Sequence, residues 1–114
     1  MCIRDSSSIA ALRGGGSYGA AKAGLHPWTW DLAARLGPGG TANVVAPGYV
    51  EDTEFWSGRL SPEIVEPRVD GTLVKRAGTP EEVAEAVAYL ASPLSGFTTG
   101  QILQVNGGAL AGRG

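Results

Sequence analysis

Ser8-Ile9-Ala10-Ala11-Leu12-Arg13-Gly14-Gly15-Gly16-Ser17-Tyr18-Gly19-Ala20-Ala21-Lys22 is the stretch around which the chain is organised. Its last five residues set a phenol and an ammonium four positions apart. On a helix, residues at i and i+4 lie one above the other on the same face. A free tyrosine has a pKa of about 10. A positive charge nearby favours the phenolate and brings that value down. A tyrosine tuned in this way can give or take a proton at an alcohol or carbonyl oxygen. A hydroxyl just upstream, from Ser6, Ser7 or Ser8, can hold the same oxygen. Any amphipathic helix can produce Tyr-x-x-x-Lys, with a surface lysine and a half-buried tyrosine, so the rest of the chain has to decide between the two readings.

Downstream of Tyr18 the sequence predicts a helix over residues 18–36. Ala21, Leu25, Trp28, Leu32 and Leu36 recur at spacings of three and four and form an apolar stripe. Gly37-Pro38-Gly39-Gly40 stops it. Pro27 interrupts the pattern, and a proline inside a helix costs about 3 kcal/mol or more. A kink is therefore expected near residues 23–26, with Tyr18 and Lys22 keeping their shared face. His26 is read as an exposed helix residue, and Trp28 and Trp30 as packing or interface residues. Residues 41–46, TANVVA, read as a short buried strand that Pro47-Gly48 ends. In open α/β sheets ligands bind outside the carboxyl ends of the strands, so the chain from Pro47 onward should face a ligand.

Residues 51–76 mix acids and prolines with scattered large apolar side chains, and one or two short helices are expected there. Thr79-Pro80-Glu81-Glu82 supplies an N-cap, a proline at the first helical position and a capping box. The helix that follows runs to about Ala91, and Ser92-Pro93 ends it. Residues 99–105 read as a strand with Asn106-Gly107-Gly108 as its turn. Gly15-Gly16-Ser17-Tyr18-Gly19 also matches G-x-S-x-G. That nucleophile elbow requires a strand leading into it and a histidine late in the chain. The only histidine is His26, so the ordinary role for Ser17 is a helix N-cap.

The 114 residues suit one domain of ordinary size. Hydrophobic residues at 43% and charged residues at 18% describe a globular chain rather than a disordered one. A net charge of −2, with the charges scattered, argues against a nucleic-acid partner, which needs a basic patch, and against an anionic membrane surface. No apolar run approaches the roughly 20 residues that span a bilayer. Cys2 is the only cysteine, so no internal disulfide can form, which fits a cytoplasmic location. No metal site is expected.

Ser7-Ser8-Ile9-Ala10-Ala11 followed by Tyr-x-x-x-Lys resembles the catalytic segment of short-chain dehydrogenases/reductases. Three further motifs resemble the same family in the same order: Ala46-Pro47-Gly48-Tyr49-Val50 with a threonine after it, Arg76-x-Gly-x-Pro-Glu-Glu-Val83, and Thr99-Gly-Gln-x-Leu-x-Val-x-Gly-Gly108. The nearest flavour is the 3-oxoacyl-[acyl-carrier-protein] reductase-like branch. The resemblance implies an α/β fold, the C-terminal part of a doubly wound Rossmann-type parallel sheet. It implies that Ser8 polarises a substrate carbonyl, that Tyr18 is the general acid/base, and that Lys22 assists Tyr18 and holds the nicotinamide ribose. Ser8 lies ten residues before Tyr18, a shorter interval than the family usually has; Ser6 suits the interval better and Ser8 the local motif. The turn after the strand implies cofactor contacts from Pro47, Gly48, the Val50 backbone and the Thr53 hydroxyl. The resemblance further implies NAD or NADP as cofactor, a small carbonyl or alcohol as substrate, and a homo-oligomeric full-length protein.

By the same resemblance residues 51–76 form a substrate lid, where Phe55 and Trp56 can line an apolar pocket. Family chains are about twice this long, and neither the glycine-rich phosphate turn nor the acidic or basic residue that chooses NAD or NADP has a counterpart here. Arg4 and Asp5 suit a buried strand poorly. Residues 1–5 are therefore read as an extension foreign to the family and residues 6–114 as the catalytic C-terminal half. With two strands and open sheet edges, this chain alone is expected to have little or no reductase activity. The alternative is a truncated module of the same fold that does no chemistry and offers its sheet edge and helix stripe to a partner.

Overall fold

Val44 and Val45 sit at the middle of a strand whose residues from Ala42 to Ala46 are all buried. Successive side chains of a strand point to opposite faces, so both faces of this strand are covered, as in a parallel sheet flanked by helices. The computed structural model of the chain describes residues 2–13, 16–51 and 61–111. The order of elements is β1 (Cys2–Ser6), α1 (Ala10–Arg13), α2 (Gly16–Ala23), α3 (Leu25–Leu36), β2 (Thr41–Pro47), α4 (Pro62–Asp70), α5 (Pro80–Ala91), a short 3₁₀ turn (Pro93–Ser95) and β3 (Ile102–Val105). The three strands form one sheet in the order β1-β2-β3, both pairings parallel, with α3 and α5 against the central β2.

The strand β1 adds a third strand to the two expected from the sequence. It pairs in register from Cys2 opposite Thr41 to Ser6 opposite Val45. It lies at the edge of this sheet, where the backbone ladder on one side carries the pairing, so residues with little intrinsic taste for a buried strand are accommodated. At the other side, Asn43 is buried and fixes how β3 is entered. Its Nδ2 donates to the Thr98 carbonyl at 3.0 Å, and its Oδ1 accepts from the Gln101 amide at 3.1 Å. Gly100 turns there with φ +69°. The strand accordingly begins at Ile102 rather than at residue 99.

The long helix predicted over residues 18–36 is two helices, with the break at Gly24. The amide of Gly24 still bonds the Ala20 carbonyl at 3.1 Å, and the helix restarts at Leu25. Pro27 thereby falls in the first turn of α3, where its missing N–H has no helical partner to lose. The apolar stripe is also rotated from its expected place. The buried residues of α3 are His26, Thr29 and Ala33, while Trp28 and Trp30 are exposed. Small side chains let α3 approach β2 closely, and the indoles remain on the outside. Ser17 is the second residue of α2, not its cap, and the segment before it is the helix α1 rather than a strand, so no nucleophile elbow forms.

The start of α5 is as the sequence predicts. Thr79 Oγ1 accepts from the Glu82 amide at 3.2 Å, and Glu82 Oε1 accepts from the Thr79 amide at 3.1 Å. Arg76 clamps Glu82 with two bonds of 2.7 and 2.8 Å, and its guanidinium holds the Glu82 carboxyl down at about 2. Thr79→Ala removes the cap from the helix and is expected to cost about 1 kcal/mol in denaturant unfolding.

Candidate active site

Two backbone bonds place Ser8. The Ser7 amide donates to the Val45 carbonyl at 2.7 Å, and the Ile9 amide to the Pro47 carbonyl at 3.0 Å. Ser8 therefore continues the line of β1 beside the carboxyl end of β2. It is half-buried. From here the chain passes through α1 into α2, which carries Tyr18 and Lys22.

The i, i+4 spacing brings Tyr18 and Lys22 together. Lys22 Nζ lies over the Tyr18 ring, 5.8 Å from its centroid, within reach of a cation–π contact. Tyr18 is 46% exposed. The serine loop meets this helix directly: Ser7 Oγ donates to the Lys22 carbonyl at 3.3 Å and lies 2.8 Å from His26 Nε2. The serine loop that follows β1 is thereby joined to the helix that carries Tyr18 and Lys22.

Val50 stands beyond the carboxyl end of β2. It is buried and bridges Gly78 in parallel fashion, with Gly78 N donating to the Tyr49 carbonyl and Glu51 N to the Gly78 carbonyl, each at 3.0 Å. In a parallel pairing the residue between two such bonds turns its own N–H and C=O the other way. Among the described residues neither group of Val50 has a partner. An amide and a carbonyl side by side match the acceptor and donor of a carboxamide. Gly48 lies against Asn106, and its amide donates to the Val105 carbonyl at 2.9 Å, which fixes the turn after Pro47 to β3. A cleft of about 190 Å³ opens beside Val50, lined also by Tyr49, Thr79, Val105 and Asn106. Thr53, Phe55 and Trp56 lie outside the described residues.

His26 corrects the sequence reading. It is 4% exposed, where an exposed helix residue was expected. The available signal was its position four residues after Lys22 and eight after Tyr18, on the same helical face, which the apolar pattern of leucines and tryptophans obscured. Burial holds its imidazole below the ordinary 6.5. The unfolded chain then binds the proton at higher pH than the folded chain, so stability is complete above about 6.5 and falls as pH drops beneath it. Melting midpoints are expected to fall from about pH 7 to about pH 5, and the fall should be shallower in His26→Gln.

The amino-acid sequence matches the family profile described as Enoyl-(Acyl carrier protein) reductase over residues 2–109. The structure superposes on a short-chain dehydrogenase/reductase described as glucose/ribitol dehydrogenase from Brucella melitensis with a TM-score of 0.89 and 36% identity, covering 97% of this chain and 46% of that one. The chain belongs to the short-chain dehydrogenase/reductase family. A 3-oxoacyl-[acyl-carrier-protein] reductase from Chlamydia muridarum is 41% identical over 110 residues, spanning 93% of this chain and 44% of the relative. A galactitol 2-dehydrogenase (L-tagatose-forming) from Cereibacter sphaeroides is 43% identical over 93 residues, spanning 81% of this chain and 37% of the relative. The chain thus spans about two-fifths of the length of these short-chain dehydrogenase/reductase relatives. Its parallel sheet and flanking helices are part of the Rossmann-type fold of the family. Among the described residues no helix is long and apolar enough to cross a membrane.

Proposed function

We propose that the chain is the catalytic part of an NAD(P)-dependent oxidoreductase that interconverts a carbonyl and a secondary alcohol. The observation that carries this reading is the pairing of Tyr18 with Lys22 on a helix bonded to the serine loop at the carboxyl end of a parallel sheet. In the reducing direction Ser8 Oγ donates a hydrogen bond to the substrate carbonyl and polarises it. Tyr18 Oη delivers the proton to the same oxygen as charge builds there. The Lys22 ammonium stabilises the negative charge left on Tyr18 Oη and would bond a ribose hydroxyl. The nicotinamide, when bound, supplies the hydride.

The Val50 amide and carbonyl would hold the carboxamide, with Pro47 and Gly48 setting their direction; Thr53 is proposed to add its hydroxyl. The exposed indoles of Trp28 and Trp30 support a homo-oligomeric full-length protein, and α4, which buries none of its residues, supports a lid over the substrate. A chimera in which residues 2–109 replace the matching part of the Chlamydia muridarum reductase is expected to oxidise NADH or NADPH in the presence of a small ketone or 3-oxoacyl thioester. A folded chimera with no such turnover would overturn the reading.

A further inference from the structure

Ser7 and His26 make a buried polar link that the proposed chemistry leaves unused. Ser7 is 3% exposed and His26 4%. Their side chains meet at 2.8 Å, and the same Ser7 hydroxyl reaches the Lys22 carbonyl at 3.3 Å. Ser7 immediately precedes Ser8, and its amide is tied to β2. His26 follows Lys22 by one helical turn, across the break at Gly24. We propose that His26 is a positioning residue which, through Ser7, fixes the serine loop against the helix carrying Tyr18 and Lys22. The proposal rests on the functional reading above and adds a residue to it.

A hydroxyl has one proton. With that proton on the Lys22 carbonyl, the 2.8 Å contact requires Nε2–H of His26 to donate to Ser7 Oγ. The ring is then neutral, with Nδ1 unprotonated, the state that burial also favours. Trp30, whose ring lies 6.4 Å from the imidazole at 44°, packs beside it and narrows the orientations open to the ring. An α2 helix that buries only Gly19 has little packing of its own to set its position. The two hydrogen bonds of Ser7 supply that setting at the residue where position matters, because a shift of about 1 Å at a reacting group can cost a hundredfold in rate.

The test has two independent readouts. In the 114-residue chain with ¹⁵N-labelled histidine, the ring nitrogens should report Nε2 protonated and Nδ1 bare at neutral pH, and Ser7→Ala should shift Nε2. The opposite tautomer, or no response to Ser7→Ala, overturns the proposal. In the chimera, His26→Leu should lower kcat roughly tenfold with KM nearly constant, and Ser7→Ala should act in the same direction. The double variant should be no worse than the stronger single one, since both remove one link. His26→Gln, which keeps a donor, should recover most of the loss. An unchanged kcat in Ser7→Ala, or a glutamine no better than leucine, reduces His26 to packing and overturns the proposal. Full activity in Tyr18→Phe would instead overturn the functional reading, and the ring tautomer distinguishes the two failures.

Discussion

Tyr18→Phe is expected to lower carbonyl reduction by the chimera by roughly 10²–10⁴-fold in kcat/KM, the range of a lost general acid. The substitution removes one hydroxyl from a side chain that is already 46% exposed, so its effect on stability should stay within about 0.5 kcal/mol. That separation makes the measurement decisive. Lys22→Met, which keeps much of the stem and discards the charge, should fall in the same direction, with a rise in the nicotinamide KM if Lys22 holds the ribose as proposed. Initial rates of nicotinamide oxidation, taken alongside denaturant midpoints, check both. A Tyr18→Phe chimera that keeps its rate would remove the tyrosine from the chemistry and leave the Tyr18–Lys22 contact as surface packing.

Gly48→Ala should be strongly destabilising, because the added methyl runs into the backbone and Cβ of Asn106 rather than into the end of a movable side chain. A Cβ at residue 48 would meet Asn106 Cβ at 2.7 Å and Asn106 Cα at 2.9 Å. Asn106 cannot swing aside, because its side chain also caps the following turn, with Oδ1 accepting from the Gly108 amide at 2.9 Å. Backbone must move, and overpacking of this kind costs about 3 kcal/mol. The displacement passes to Tyr49 and Val50, so nicotinamide binding by the chimera should weaken as well. Gly78→Ala is the control. Its added Cβ would lie 3.5 Å from the Tyr49 carbonyl and 3.8 Å from Val50 Cγ2, ordinary contacts that should cost less than about 1 kcal/mol. Equal urea midpoints for the two variants would show that the turn after β2 has slack that these distances deny it.

The features legible in the sequence were those written in local chemistry. Thr79, Pro80 and Glu82 specify a helix start through bonds within four residues, and the structure makes them. The run from Thr41 to Pro47 is mostly apolar, with Asn43 the polar exception inside it, and becomes the central strand. Tyr18 and Lys22 are adjacent because helical geometry alone makes them so. The features that escaped depend on partners distant in the chain. The strand β1 exists through its pairing with β2, about forty residues on, rather than through its own residues. His26 is buried against Ser7, 19 residues earlier, whose hydroxyl meets its Nε2 at 2.8 Å. The phase of the α3 stripe is set by its packing in the fold, which buries His26, Thr29 and Ala33 and leaves both tryptophans outside.

The burial of β2 and of α2 differ sharply, and this divides the site in time. Ser8 is anchored by amides to a strand with five consecutive buried residues, whereas Tyr18 and Lys22 ride on an eight-residue helix that buries a single glycine. Local opening draws first on segments with few buried contacts. By burial alone the tyrosine half should open more readily than the serine half, and the hydrogen bonds of Ser7 to the Lys22 carbonyl and His26 are what hold the two together. A nicotinamide ribose held by Lys22 would quiet the tyrosine half, so that the assembled geometry exists for longer when cofactor is present than when it is not.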